Sequence, residues 1–186
     1  MHVEMLGNDT IFTRVIAAPR ALVFKAWTDP KKLAQWWGSH VMTCPVCEID
    51  LRPGGRYRFV MRSPDGVDYP LTGIYHEIIA PELIVSTVDT REHPSVWHDM
   101  LKQYCEREPA TEMLWTISFD EHDGKTKLTI RIHFASLADR DAFMKMGMSD
   151  GWSQSLERLD KLVINILSEQ TSSGIRPGAS VLRSPD

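Results

Sequence analysis

The sequence predicts an α+β fold in which an antiparallel sheet of about six to seven strands curves around one long C-terminal helix. Short runs with alternating apolar and polar residues fill much of the chain between positions 48 and 134. Such alternation is typical of half-buried strands in antiparallel sheets. One long amphipathic stretch follows at positions 136–169, and a helix of this kind covers the apolar face of a sheet.

Composition excludes several functional classes. The chain has 186 residues, 42% of them apolar and 25% charged, which predicts an ordinary globular domain with a full core. A net charge of −4 without a basic run argues against nucleic-acid binding. No apolar run approaches the roughly 18 residues of a membrane span. Three cysteines are an odd number, so we expect reduced thiols and a cytoplasmic protein without a secretion signal.

The composition also suggests boundaries for the domain. We assign residues 1–9 to an N-terminal extension and residues 10–170 to the folded domain. Residues 171–186 are rich in serine, glycine and proline, and such a composition is typical of a flexible tail.

Two short helices are predicted after the first strand, which covers residues 10–16. Pro19 occupies the first-turn position of one helix, where its missing N–H costs nothing. Asp29 and Pro30 begin the second helix as a cap and a first-turn proline. Gly38 ends that helix in the usual manner.

The turn at residues 63–66 predicts the register of a hairpin. Its sequence, Ser-Pro-Asp-Gly, suits a type I turn followed by a left-handed glycine. This three-residue loop pairs Tyr57 with Gly73 and turns Tyr69, Leu71 and Tyr75 toward the apolar face. A two-residue loop would turn them outward. Gly73 provides either space for the Tyr57 ring or a bend in the sheet.

Further strands are predicted at residues 83–90, 113–119 and 127–134. Between them, residues 91–111 break the alternation and include a short helix at residues 96–106. This connection is long for a hairpin, and long loops are often lids or binding loops.

The C-terminal stretch carries one apolar stripe at the helical period. Ser136 with Asp139 predicts a capping box at its start. The first half of the stripe is methionine and tryptophan, whereas the second half is leucine, valine and isoleucine. This asymmetry indicates that the first half faces a less regular space, since methionine fills awkward gaps.

Several motifs together resemble one family. They are Ala18-Pro19-Arg20, Asp29-Pro30 with Trp36-Trp37-Gly38, Arg52-Pro53-Gly54-Gly55, Gly73-Ile74-Tyr75 and Gly151-Trp152. The chain is similar to the START-like, SRPBCC helix-grip superfamily, in the branch of homologues of the activator of a heat-shock chaperone ATPase. The resemblance covers residues 10–167 and implies a curved sheet that grips a long helix over a cavity.

The resemblance implies a hydrophobic or aromatic small-molecule ligand, such as a lipid or polyketide, and no catalytic signature or cofactor. Bulky residues with polar tips favour a true cavity over a filled core. The predicted cavity lining is Trp37, Tyr57, Phe59, Met61, Tyr69, Leu71, Tyr75, Trp115, Met144, Met148 and Trp152.

Several alternatives remain open. One is a protein-interaction module that stimulates a chaperone ATPase in a stress response, as the branch name implies. Another is a cyclase or hydrolase that uses Tyr57, Tyr75 or His76. An exposed sheet edge leaves a homodimer open. His40, Cys44 and Cys47 form too small a group for a zinc site unless His93, His98 or Cys105 completes it in space. Cys44 and Cys47 precede a strand rather than a helix. We therefore favour loop and packing roles for these residues over a metal or redox site.

Overall fold

The computed structural model describes residues 1–105 and 107–172, which contain eight strands and five helices. The strands are β1 (His2–Leu6), β2 (Asp9–Ile16), β3 (Thr43–Ile49), β4 (Arg56–Arg62), β5 (Asp68–Ile79), β6 (Leu83–Asp89), β7 (Glu112–His122) and β8 (Lys125–His133). The helices are α1 (Arg20–Thr28), α2 (Pro30–Trp36), α3 (Ser95–Lys102), α4 (Leu137–Lys145) and α5 (Met148–Ser172). The predicted α+β class is confirmed. Most of the predicted tail, from residue 173 onward, lies outside the described residues.

All eight strands form one antiparallel sheet in the order β1-β2-β8-β7-β6-β5-β4-β3. The strand count exceeds the prediction because both edges carry a strand that the alternation did not indicate. At one edge, residues 2–6 pair with β2 instead of forming an extension. At the other edge, β3 contains Cys44 and Cys47, so the C-x-x-C motif lies within a strand rather than before one. Pro45 is tolerated there because an edge strand needs fewer backbone donors.

The predicted register of the β4–β5 hairpin is confirmed. Tyr57 lies opposite Gly73, and the Ser63 N–H donates to the Val67 carbonyl at 3.0 Å. Gly66 has a φ of 86°, the left-handed conformation that the turn requires. A Cβ atom on Gly73 would lie 2.3 Å from the Tyr57 ring and 2.1 Å from the Thr87 carbonyl oxygen. Gly73 therefore makes space for the Tyr57 ring.

The predicted C-terminal helix is divided into two. Helix α4 ends at Lys145 and α5 begins at Met148, with Gly147 between them at a φ of 88°. Left-handed glycine ends helices, and the apolar stripe continues across the break, which is why periodicity alone suggested one helix. Ser136 caps α4 as predicted, since the Asp139 N–H donates to the Ser136 hydroxyl at 3.1 Å. The Asp139 carboxylate accepts from the Ser136 hydroxyl at 2.7 Å.

Helix α5 lies against α1, α2 and the sheet through a cluster of tryptophans. Trp152 stacks on Trp27 of α1 with ring centres 6.1 Å apart. It also contacts Trp37 at 5.6 Å and Trp115 of β7 at 5.2 Å. Aromatic pairs at such distances add to the free energy gained by burial. Leu156, Leu159 and Val163, in the following turns of the stripe, are fully buried as core.

Arg158 of α5 binds the C-terminal end of α2. Its guanidinium donates only to backbone carbonyl oxygens among the described residues, at 2.8–3.4 Å. The last carbonyls of a helix lack partners within the helix and carry partial negative charge. Arg158 therefore fixes α5 to α2. The acceptors are Gln35, Trp37, Gly38, Ser39 and Met42.

We expect Gly73→Ala to lower the free energy of unfolding by about 2 kcal/mol, because an added methyl group overlaps the Tyr57 ring and a backbone oxygen. Gly151→Ala is the matched control. A Cβ on Gly151 meets no atom within 4 Å, so helix propensity should raise stability by about 1 kcal/mol. Urea denaturation of both variants measures the difference, and equal stabilities would contradict the packing described at Gly73.

We expect Arg158→Met to lower the free energy of unfolding by about 3 kcal/mol, because several charge-assisted hydrogen bonds are lost and their acceptors stay part-buried. Lys161→Met on the exposed side of α5 is the control and should change stability by less than about 0.5 kcal/mol. Thermal and urea unfolding would show this. Similar small effects for both variants would mean that Arg158 does not hold the two helices together.

Candidate functional site

A cavity of about 460 Å³ lies between the concave face of the sheet and the start of α5. Strands β4, β5 and β7 contribute residues from the sheet, and the chain after α2 contributes one side. Helix α3 and the junction of α4 with α5 contribute the opposite side. Four stretches of chain that are distant in sequence thus build one site.

Among the residues that the structure describes, the lining is rich in methionine and tryptophan and contains no Asp, Glu, Lys or Arg. Small-molecule sites in proteins are usually apolar concavities with a few placed polar groups. Six of the nine methionines of the chain line the cavity, namely Met42, Met61, Met100, Met113, Met146 and Met148. The tryptophans of the lining are Trp37, Trp97, Trp115 and Trp152.

The first turns of α5 form one side of the cavity. Met148, Gly151, Trp152 and Ser155 follow one another at helical spacing and all line it. Gly151 has no side chain, and open space surrounds the position of its missing Cβ. Met148 and Trp152, from the methionine–tryptophan half of the apolar stripe, therefore face the cavity, while the following turns pack as core.

One buried carboxylate fixes the chain that follows α3. Asp139, in the first turn of α4, accepts from the Ala110 N–H at 3.1 Å and from the Arg107 guanidinium. Thr90 and Thr111 close the base of this connection through a backbone hydrogen bond of 2.9 Å. The helix within it runs from residue 95 to 102, shorter than the predicted span of 96–106.

His93 is the titratable group with the most perturbed setting in the lining. The residue is 8% exposed, and its ring lies 4.6 Å from Trp97 and 5.7 Å from Tyr69. Burial lowers the pKa of the imidazole to about 4, although a hydrogen bond to the Pro70 backbone carbonyl partly opposes this. His93 is therefore neutral at pH 7, with one ring nitrogen protonated and one free to accept.

Unpaired polar atoms concentrate around this cavity. Four buried side-chain nitrogen or oxygen atoms lack a hydrogen-bond partner within residues 1–105 and 107–172. Three of them belong to cavity-lining residues, namely Trp37 Nε1, Trp115 Nε1 and His93 Nδ1. Buried polar groups are normally paired, so such exceptions call for an explanation.

Seven of the eleven residues predicted to line a cavity do so. They are Trp37, Met61, Tyr69, Leu71, Trp115, Met148 and Trp152. Their role in binding a ligand stays a prediction.

The other four predicted lining residues lie elsewhere. Tyr57 packs against both Phe59 and Tyr75 further along the sheet, with ring centres 4.8 Å and 4.9 Å apart. The Tyr57 hydroxyl donates to the Thr87 carbonyl at 2.8 Å, and burial raises its pKa. Met144 is displaced because the break at Gly147 interrupts the helix, so that Phe143 lines the cavity instead.

His93, Trp97 and Met100 also line the cavity, although the sequence pattern did not predict this. They lie in the connection at residues 91–111, which has no periodicity that would assign a face. The unusual length of this connection was the one feature of the sequence that indicated a role in the site, because long connections are often binding loops.

The C-x-x-C motif does not form part of this site. Cys44 and Cys47 lie on the edge strand β3, and a hydrogen bond between the two thiols lowers the pKa of Cys44 and raises that of Cys47. No cluster of three or more His, Cys, Asp or Glu residues suited to a metal ion occurs in the part of the chain that the structure describes.

A second concavity, of about 530 Å³, lies on the opposite face of the sheet. Charged side chains line it and many of them pair with each other, for example Arg58 with Glu92 at 2.8 Å and Arg91 with Asp89. Paired surface charges need no ligand to explain them. The apolar cavity is therefore the better candidate for a functional site.

A sequence model of the family described as activator of Hsp90 ATPase homolog 1-like protein matches residues 17–163. The chain belongs to this AHSA1 family. The match spans both short helices, the sheet from β3 to β8 and most of α5, so it includes the whole cavity. A search among curated proteins found no match.

Solved structures share the fold of this AHSA1 family member. A protein from Mycobacterium smegmatis is 24% identical, with a TM-score of 0.74, over 88% of this chain and 96% of that one. A protein from Chromobacterium violaceum is 26% identical, with a TM-score of 0.65, over 84% and 96%. An AHSA1-like protein from Aeromonas hydrophila is 17% identical, with a TM-score of 0.61, over 92% and 98%. Within the described residues, no helix is both long enough and apolar enough to cross a membrane.

The neutral state of His93 makes stability depend on pH. The folded pKa of about 4 lies below the ordinary value of 6.5, so the unfolded chain binds more protons between these values and stability falls as pH drops from 6.5 to 4. We expect His93→Phe to remove about 2–3 kcal/mol of this loss. Urea unfolding of both proteins at pH 7.5 and pH 4 measures it. His76→Phe, at an exposed site, is the control, and parallel pH curves for all three would contradict the assignment.

Proposed function

We propose that the protein binds a hydrophobic or aromatic small molecule, of the lipid or polyketide type, in the cavity between the sheet and α5. The observation that supports this proposal is an uncharged lining of methionine and tryptophan around about 460 Å³. Val96 and Met100, on the α3 side of the lining, are exposed, so the apolar surface of the cavity is accessible to a ligand from solvent.

The nature of the lining fits a ligand of variable shape. Methionine side chains are flexible and adapt to irregular surfaces. The indole rings of Trp37, Trp115 and Trp152 contact one another and offer flat apolar faces on which an aromatic or polyene group can stack. Membership of the AHSA1 family agrees with a binding module of this kind.

A co-chaperone-like module that stimulates a chaperone ATPase is the second candidate. The observation that favours it is the description of the family itself. An ATPase assay with the chaperone of the host distinguishes the two candidates. If a variant with a filled cavity still stimulates the ATPase, the co-chaperone-like role is favoured.

An enzymatic role would rest on different residues from those that the sequence suggests. Tyr57 and Tyr75 do not line the cavity, and His76 is exposed on β5. Tyr69 and His93 are the tyrosine and histidine of the lining. A cyclase or hydrolase activity would therefore have to disappear in Tyr69→Phe or His93→Phe and persist in Tyr57→Phe.

Gly151→Leu is designed to fill the cavity from α5. The added side chain meets no atom near its Cβ and leucine favours a helix, so the variant should fold normally. We expect the neutral fluorescent probe N-phenyl-1-naphthylamine to bind the wild-type protein and raise its melting temperature. In Gly151→Leu we expect the affinity to fall at least tenfold, because the ligand and the leucine compete for the same space.

Gly151→Ala serves as the matched control, since it makes the same backbone change with a smaller side chain and should keep most of the probe affinity. Native mass spectrometry of the purified wild-type protein adds an independent test, because a natural ligand would appear as added mass. Equal binding of the probe by all three proteins would refute the proposed site.

A further inference from the structure

We infer that the ligand is uncharged and carries a carbonyl-type oxygen, which accepts hydrogen bonds from the indole N–H groups of Trp37 and Trp115. This inference rests on the proposed function, because it specifies the chemistry of a molecule in the same cavity. It separates neutral ketones, esters and amides from fatty acids, from other anions and from pure hydrocarbons.

The absence of charge in the lining requires a neutral ligand. None of the lining residues in the described part of the chain is acidic or strongly basic, and the one imidazole is neutral near pH 7. A carboxylate or an ammonium group buried there would lose its hydration without gaining a partner of opposite charge. Such transfers are strongly unfavourable.

The two indole groups call for an acceptor. Both nitrogens are buried and lack a partner within residues 1–105 and 107–172. An indole N–H can only donate, and buried tryptophans usually find an acceptor for it. Trp36, a close neighbour, illustrates this, since its Nε1 donates to the Ala26 carbonyl at 2.9 Å. Trp37 and Trp115 both line the cavity, with ring centres 6.0 Å apart, so the two unpaired donors belong to neighbouring rings.

Both indole nitrogens are shielded from solvent, so a ligand oxygen reaches them only when neighbouring side chains move. The methionine side chains that line the cavity are flexible and allow such movement.

Three naphthalene probes of similar size test the inference. 2-Acetylnaphthalene supplies a neutral acceptor, 2-isopropylnaphthalene has none, and 2-naphthoate is charged at pH 7.5. We would measure their dissociation constants for the wild-type protein and for Trp37→Phe, Trp115→Phe and Trp36→Phe. The ratio of the hydrocarbon constant to the ketone constant cancels shape effects in each protein, and changes in this ratio between proteins report the hydrogen bond.

We expect this ratio to fall about fivefold in Trp37→Phe and in Trp115→Phe, because each variant removes one donor. It should be unchanged in Trp36→Phe, whose N–H is already paired within the protein. In the wild-type protein, 2-naphthoate should bind at least tenfold more weakly than the ketone. An equal ratio in all four proteins, or a carboxylate that binds as tightly as the ketone, would overturn the inference.

A measurement on the unaltered protein keeps the test independent of folding defects. The chain has six tryptophans and hence six indole N–H signals in a nitrogen–proton correlation spectrum. Two of them should move downfield with the ketone relative to the hydrocarbon, and movement of none would overturn the inference. If the hydrocarbon binds and no selectivity for the ketone is found, this inference alone fails. If none of the probes binds, the proposed function fails as well.

Discussion

The contact between α5 and the end of α2 determines where the cavity lies. Arg158 donates to the carbonyl oxygens that follow α2, and this fixes the position of Trp37 beside Trp152. Burial lowers the pKa of the guanidinium, but arginine remains charged over the whole working range of pH. The interaction uses the partial negative charge of a helix end instead of a carboxylate. It therefore holds two helices together without placing an acidic group near the apolar site.

Local signals predicted local features well. The Ser-Pro-Asp-Gly turn predicted the β4–β5 register because turn geometry and the side-chain period of two together leave one pairing. The asymmetry of the apolar stripe separated the cavity-facing half of α5 from the core-facing half. The break at Gly147 was missed, since a glycine within an apolar period is compatible with a continuous helix. The position of Tyr57 relative to the cavity was also not predicted. Alternation assigns Tyr57 to a face of the sheet, but it does not identify the residues that the ring contacts, such as Phe59.

The site combines costs to stability with features suited to binding. A cavity forgoes the contacts that a filled core would make, and the unpaired indole groups of Trp37 and Trp115 forgo hydrogen bonds. The stacked tryptophans and the hydrogen bonds of Asp139 offset part of this loss of stability. His93 could be assigned to the site only from three-dimensional contacts, since its own segment has neither a strand nor a helix period. Local losses of packing and hydrogen bonding that the rest of the fold offsets are typical of functional sites.

The cavity is lined by residues from four separate stretches, between Trp37 and Ser155. Contacts between residues close in sequence form early in folding, whereas contacts across long loops form late. The β4–β5 pairing joins segments that are close in sequence, but the cavity also requires β7 and the docking of α5 against α2. The cavity is thus assembled among the last features of the fold. A nascent chain that has not yet completed α5 has a sheet with an uncovered apolar face and lacks the cavity.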